Sequence, residues 1–234
     1  MVFDFFINNP TAAYFLVVLA VVFSYVIQFK LKSTFSRYSQ VYSRNNVPAN
    51  VIARQILDSY GLRHIAVRHI DGNLTDHFDP RSNEVALSDA TFFSTSVAAI
   101  GVAAHEVGHA IQHNKNYLPI KIRSLFVPIA QIGSKGWIIL FMLGMLMGIP
   151  IFVDIGIVLF GCVVLFQLLT LPVEFDASRR ALSVIRKQGL LESDEIGGAK
   201  KTLSAAAMTY IAGLMVALTQ LIRLIALSNN RRRD

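Results

Sequence analysis

Two imidazoles and a carboxylate stand inside one apolar run, GVAAHEVGHAIQHN, residues 101–114. His105 and His109 are four residues apart, which puts both on one face of an α-helix. From there their ring nitrogens can reach a single metal ion at about 2.0–2.1 Å. Glu106 lies one step round the helix. It is poorly placed to bind the same ion and well placed to take a proton from water on the ion's open side. Two ligands and a base in the order His-Glu-x-x-His are the apparatus of zinc-assisted hydrolysis. The apolar setting strengthens the reading, because polar side chains among Ala, Val and Ile are costly without partners. Gly108 is a poor helix former and would let another backbone or a substrate approach closely.

A catalytic zinc takes three protein ligands and keeps one position open. His113 is eight residues past His105, about 12 Å further along the helix axis, so it cannot close the same tetrahedron and reads as a helix-end residue. The longer HExxHxxGxxH pattern is absent, with Gln112 at its Gly and Lys115 at its last His. The single cysteine, Cys162, excludes a thiolate site and an intrachain disulfide. The remaining donors are in LPVEFDASRRALSVIRKQG, residues 171–189. Pro172 is expected to end an apolar tract, a new helix to open with Glu174, and Gly189 to cap it. Glu174 is the preferred third ligand. Asp176, two positions on and facing elsewhere, is its rival, and a role for Glu174 merely as an acid at a helix N-terminus is the plain alternative.

These residues need a scaffold, and the composition says which kind. Of 234 residues, 53% are hydrophobic and 16% charged, against about 25% charged in soluble domains. That balance indicates a membrane protein. The net charge of +7 is scattered and accompanied by no nucleic-acid-binding motif, so no nucleic-acid partner is expected. Residues 12–29 carry no charge over 18 positions and are followed at once by Lys30 and Lys32. The segment before them has an Asp and no basic residue, unlike a signal peptide, so a retained anchor is expected, with its N-terminus outside. A second apolar tract, about 125–171, is too long for one crossing. It is broken near Pro150, giving a hairpin of roughly 125–149 and 152–171, with Lys135 leaving the start of the first arm open. A fourth tract covers 203–227.

Residues 30–123 hold 11 Lys and Arg, and residues 172–201 hold 6, which assigns both segments to the cytoplasm. Two crossings lie between His109 and Glu174, so both emerge on one face of the membrane, as a shared site requires. The tail NNRRRD then falls on the other face, against the same charge rule. Between anchor and hairpin, VPANVIARQILDSYGL has helical spacing, with Asn50 as candidate cap and Gly61 as terminator. RHIAVRHI alternates as a strand, Glu84–Leu87 is a second short strand, and a helix is expected from about Thr95 to His113.

The runs DHFDPRSNEVALSD, VAAIGVAAHEVGHAIQH and LPVEFDASRRAL resemble the bacterial membrane-bound neutral zinc metallopeptidases of the YugP type, over about residues 28–220. The resemblance implies a membrane-embedded zinc peptidase with His105 and His109 as ligands and Glu106 as base. A more distant similarity to HtpX-type membrane proteases implies a third-ligand glutamate in an E-x-x-x-D pattern. Here Ser178 stands four residues after Glu174, so the orienting role of that aspartate falls to Ser178 or Asp176.

The expected fold is mainly α, a multi-pass membrane protein of about four transmembrane helices with a small α+β zincin-like cytoplasmic domain. Its segments are an anchor (1–29), the zincin-like domain with the HExxH helix (30–124), a transmembrane hairpin (125–171), a cytoplasmic helix with the third ligand (172–202), and a last transmembrane helix with a basic tail (203–234). The expected function is that of a zinc metalloendopeptidase of the cell membrane with its site on the cytoplasmic side. Zn²⁺ held by His105, His109 and Glu174 activates water, Glu106 moves the proton, and the substrate is a polypeptide of the membrane or its vicinity. Asp176, Ser178, His113 and Arg179 are candidates for orienting the ligands or binding the oxyanion. Strand Glu84–Leu87 is a candidate for pairing with substrate backbone. The competing reading is a non-catalytic scaffold whose zinc is closed by a fourth ligand such as Asp176.

Overall fold

In a computed structural model of the chain, which describes residues 2–231, ten elements follow in order. They are α1 (Val2–Ile7), α2 (Pro10–Ser39), α3 (Ala49–Ser59), β1 (Ala66–Ile70), β2 (His77–Asp79), β3 (Glu84–Ser88), α4 (Val97–Asn114), α5 (Leu118–Met147), α6 (Pro150–Lys187) and α7 (Ile196–Arg231). The protein is mainly helical, with one small mixed sheet. Four of the helices, α2, α5, α6 and α7, are long and apolar enough to cross a bilayer. The last residues of the basic tail, 232–234, lie outside the described residues.

The chain divides into two compact units. The first takes the residues up to Gln28, Lys121–Leu171 and those from Thr209 on. Large side chains such as Phe15, Leu19, Leu125, Leu146 and Val158 point outward from it, as lipid-facing helices require. Its interior is a seam of Phe141, Val153, Phe160, Val164, Leu214 and Leu224. α5 and α6 come together through small residues. A Cβ on Gly133 would lie 2.7 Å from the Leu159 carbonyl oxygen, and one on Gly156 would lie 3.0 Å from that of Trp137. Such close backbone approach is how helices associate where water supplies no driving force. The turn between α5 and α6 runs through Gly148 at φ +75°, a conformation glycine adopts without strain. Pro150 then sits at the first position of α6, where its missing N–H costs nothing.

The second unit, Phe29–Ile120 with Pro172–Met208, has a conventional buried core. Ile52, Ile56 and Leu57 of α3 meet Val85 and Leu87 of β3, Ile100 and Val107 of α4, and Ile185 of α6. The sheet order is β1-β3-β2, with β1 parallel and β2 antiparallel to β3. β3 is therefore central and buried along most of its length.

Three local expectations are corrected. Strand Glu84–Leu87 is paired with β1 on one side and β2 on the other, so it offers no free edge to a substrate. Pro172 does not end a helix. α6 runs through it unbroken, since long helical stretches on both sides hold the turn against the loss of one backbone hydrogen bond. α2 continues past the uncharged stretch to Ser39, because Lys30 and Lys32 are good helix formers. At the start of α3 the cap position belongs to Pro48, with no side-chain cap bond, and Asn50 lies inside the helix.

Candidate metal centre

α4 carries the two histidines, and its start is fixed by chemistry in the chain. Ser96 accepts a hydrogen bond from the Ala99 amide at 3.2 Å, the standard satisfaction of an otherwise orphaned helix-end donor. α4 is then buried round nearly all of its surface by Ala, Gly and Val. Gly108 is what lets α6 lie against it. A Cβ there would stand 2.8 Å from the Ala177 carbonyl oxygen, so any larger residue would push the two backbones apart. That contact sets Glu174, one turn before Ala177 on α6, beside the histidines on α4.

The result is a group of three ligand atoms. His105 Nε2 and His109 Nε2 are 3.2 Å apart. Glu174 Oε2 is 3.3 Å from the first and 3.5 Å from the second. Donors bound at 2.0–2.1 Å to a tetrahedral zinc are about 3.3 Å from one another, so the three spacings suit that ion. Among the described residues this is the group of His, Cys, Asp and Glu side chains that could hold a metal.

The surroundings say which form each ring takes. Gln112 is fully buried. Its Nε2 donates to the Val173 carbonyl oxygen at 2.8 Å and to Asp176 Oδ2 at 2.9 Å. With both amide hydrogens directed at acceptors, its Oε1 is left to accept from His109 Nδ1 at 3.1 Å. The proton of a neutral His109 is thus on Nδ1, and Nε2 presents a lone pair. His105 Nδ1 is 3.1 Å from Ser178 Oγ, which leaves its Nε2 turned to the same point. Glu174 Oε2 is buried and has no hydrogen-bond partner. Three electron pairs converging in a buried place are unfavourable unless a cation takes them up. The residues present therefore fit a zinc ion.

Charge balance shows the same tension. Burial pushes the His109 imidazole down, but the carboxylate of Glu174 and the charge of Glu106 outweigh it and hold its pKa above the ordinary 6.5. Burial of Glu174 opposes its ionisation, and the two imidazoles overcome this and keep it below the usual carboxylate range. Without metal, the raised pKa of His109 favours uptake of a proton among these donors.

Glu106 is buried beside the pair, and among the described residues nothing hydrogen-bonds its carboxylate. Asp176 does not join the three donors. It accepts from Gln112 and from Arg180 Nε, and the Arg180 guanidinium lies 5.5 Å over the Tyr117 ring. Burial raises the Asp176 pKa, and the Gln112 and Arg180 contacts more than reverse this. Ser178 touches His105 directly, whereas Asp176 reaches His109 only through Gln112. Of the other candidates, His113 is exposed and packs its ring against Phe78 of β2, and Arg179 is exposed. Sequence reasoning passed over Gln112 and Arg180. The usable signal was that a glutamine three residues after His109 falls on the same helix face.

The profile of a family described as "Putative neutral zinc metallopeptidase" matches residues 13–229. The chain belongs to this family. Among curated proteins it is 42% identical over 218 residues to "Putative membrane protease YugP" of Bacillus subtilis (strain 168), covering 93% of this chain and 97% of that relative. No solved structure matches it. A zinc peptidase family implies zinc, and the donors grouped here are of the kind such an ion takes.

Proposed function

We propose that the protein is a membrane-embedded zinc metalloendopeptidase, with His105, His109 and Glu174 holding the ion and Glu106 as general base. The observation that carries this reading is the convergence of three ligand atoms, 3.2–3.5 Å apart, on one buried point with an unpartnered carboxylate next to it. Zinc bound there would supply a Lewis acid that makes water acidic near neutral pH. The chain's own residues do the rest. Gln112 and Ser178 hold the imidazoles with their Nε2 atoms inward. Glu106, free of hydrogen-bond partners, takes a proton from the attacking water and returns it to the leaving nitrogen. Burial of the group keeps bulk water from competing.

The fold around the site is read as a zincin-like domain over residues 30–124, completed by the segment 172–202. Both face the cytoplasm, because 11 and 6 basic residues accompany them. The substrate class is polypeptide at or near the membrane. A purely structural zinc needs a fourth protein ligand. The best candidate for that, Asp176, is engaged by Gln112 and Arg180, which favours an open position over a closed one.

The test uses purified, detergent-solubilised full-length protein and an unfolded protein substrate. Glu106→Gln is expected to retain zinc and lose cleavage by a factor of at least about 10²–10⁴, the range for general-base removal. Cleavage at the parental rate would remove Glu106 from the mechanism.

A further inference from the structure

Outside the metal centre, the second unit has a cavity of about 620 Å³ between α2 and α7. Its walls are two stripes of one helix face each. Lys30, Thr34 and Arg37 recur at spacings of four and three on α2, and Lys200, Lys201, Ser204 and Met208 recur similarly on α7. Four of the lining residues are cations, Lys30, Arg37, Lys200 and Lys201, and among the described residues no Asp or Glu lines the space. Among the described residues no carboxylate pairs with any of the four. Arg37 and Lys201 instead share the ring of Tyr38, at 5.7 and 5.9 Å from its centre. The aliphatic hydroxyls of Ser33, Thr34 and Ser204 line the same space. Lys200 and Lys201 lie in the second turn of α7, whose first turn has no acidic residue to offset them. Four like charges gathered around one hollow repel one another unless an anion sits among them.

The level of the cavity along the helices says which anion. Lys30 closes the 18-residue uncharged stretch of α2, and Lys201 immediately precedes the uncharged stretch 202–222 of α7. In helices that cross a bilayer, that level is the headgroup layer. Met208 and Ala205 line the side of the cavity towards the uncharged stretch, where glycerol and acyl chain would lie. A free phosphate would use the cations and hydroxyls but has no use for that apolar end. We propose that the groove between α2 and α7 is a binding site for the phosphodiester headgroup of an anionic phospholipid. Lys30, Arg37, Lys200 and Lys201 provide the charge, and Ser33, Thr34 and Ser204 donate to phosphate oxygens. The site is separate from the catalytic reading and does not rest on it.

The test counts lipid bound to the full-length protein by native mass spectrometry. Phosphatidylglycerol and phosphatidylcholine with the same acyl chains are titrated in separate arms, and inorganic phosphate alone in a third. The parent is expected to hold phosphatidylglycerol in preference to phosphatidylcholine, with excess inorganic phosphate failing to displace it. K200Q/K201Q should weaken phosphatidylglycerol binding about 30-fold, from the usual contribution of each cation near an anionic lipid surface. K200R/K201R should restore it. The control R186Q/K187Q removes the same charge from exposed positions at the C-terminal end of α6 and should behave as the parent. Equal loss in the control, equal binding of the two lipids, or displacement by inorganic phosphate would each overturn the proposal. Should K200Q/K201Q fail to fold, Ser204→Leu fills the groove without altering charge, and undiminished phosphatidylglycerol binding in that variant would overturn it instead.

Discussion

The two histidines of the candidate metal centre are alike in type, in helix and in facing direction, yet they are held by different means. His109 is backed by a continuous chain of buried or half-buried groups: Gln112, then Asp176, then Arg180 stacked on Tyr117. His105 has one neighbour on its outer nitrogen, the hydroxyl of Ser178. A carboxamide with every hydrogen bond assigned fixes a tautomer. A hydroxyl, which can donate or accept, does not. The surroundings therefore fix the tautomer of His109 but not that of His105, although both Nε2 atoms face the same point.

That asymmetry can be broken from either side. Gln112→Leu should have the largest effect. It strands His109 Nδ1 and takes one donor each from the Val173 carbonyl and Asp176 in a buried place, so about 1–3 kcal/mol of stability should be lost. Zinc affinity should fall about 10–100-fold, as for other outer partners of ligating histidines. Thermal melting and chelator competition measure the two quantities. Asp176→Asn should come next. It leaves Gln112 an acceptor but weakens the Arg180 contact, and zinc affinity should drop by about tenfold. Ser178→Ala removes one half-buried hydrogen bond and should cost about 2–10-fold, the equivalent of a typical net bond. A Ser178→Ala loss exceeding that of Gln112→Leu would reverse the comparison.

The smallest effect concerns pH. The metal-free His109 has a raised pKa, so a proton competes with zinc over a range that begins above 6.5. Zinc affinity should be full above that raised value and decline as pH falls through it. Glu174, with its lowered pKa, is already ionised throughout and adds no slope near neutrality. Gln112 is one of the groups holding the His109 pKa up, so Gln112→Leu should shift the midpoint of this decline to lower pH, whereas Ser178→Ala should leave it in place. Isothermal titration with zinc across the pH range reads the midpoint in each variant.

What could be read in the sequence divides along a physical line. Local periodicity was enough to place His105 and His109 on one face, and three apolar tracts, the second broken near Pro150, announced four long helices. The approach of Glu174 could be argued without any structure, because an even number of crossings returns the chain to the same face. What escaped depends on contacts between distant segments. Gln112 looks like an ordinary polar residue until α6 brings Val173 and Asp176 against it. Pro172 looks like a terminator until the helix around it is seen to have support on both sides. The central position of β3 depends on how the sheet is paired, and a five-residue apolar strand reads alike at an edge or in the middle. The close contact of Gly108 with Ala177 was legible only as a permission; which backbone would use it was not.

The central claim is that the ion is held by Glu174 together with the two histidines, and zinc content per chain tests it most directly. The parent, Glu174→Ala and Asp176→Ala are purified in parallel, exchanged into buffer with limiting zinc, and measured by elemental mass spectrometry. About one zinc per chain is expected in the parent, little in Glu174→Ala and most of the parental amount in Asp176→Ala. Full zinc in Glu174→Ala, with loss in a folded Asp176→Ala, would contradict it and move the third ligand to Asp176.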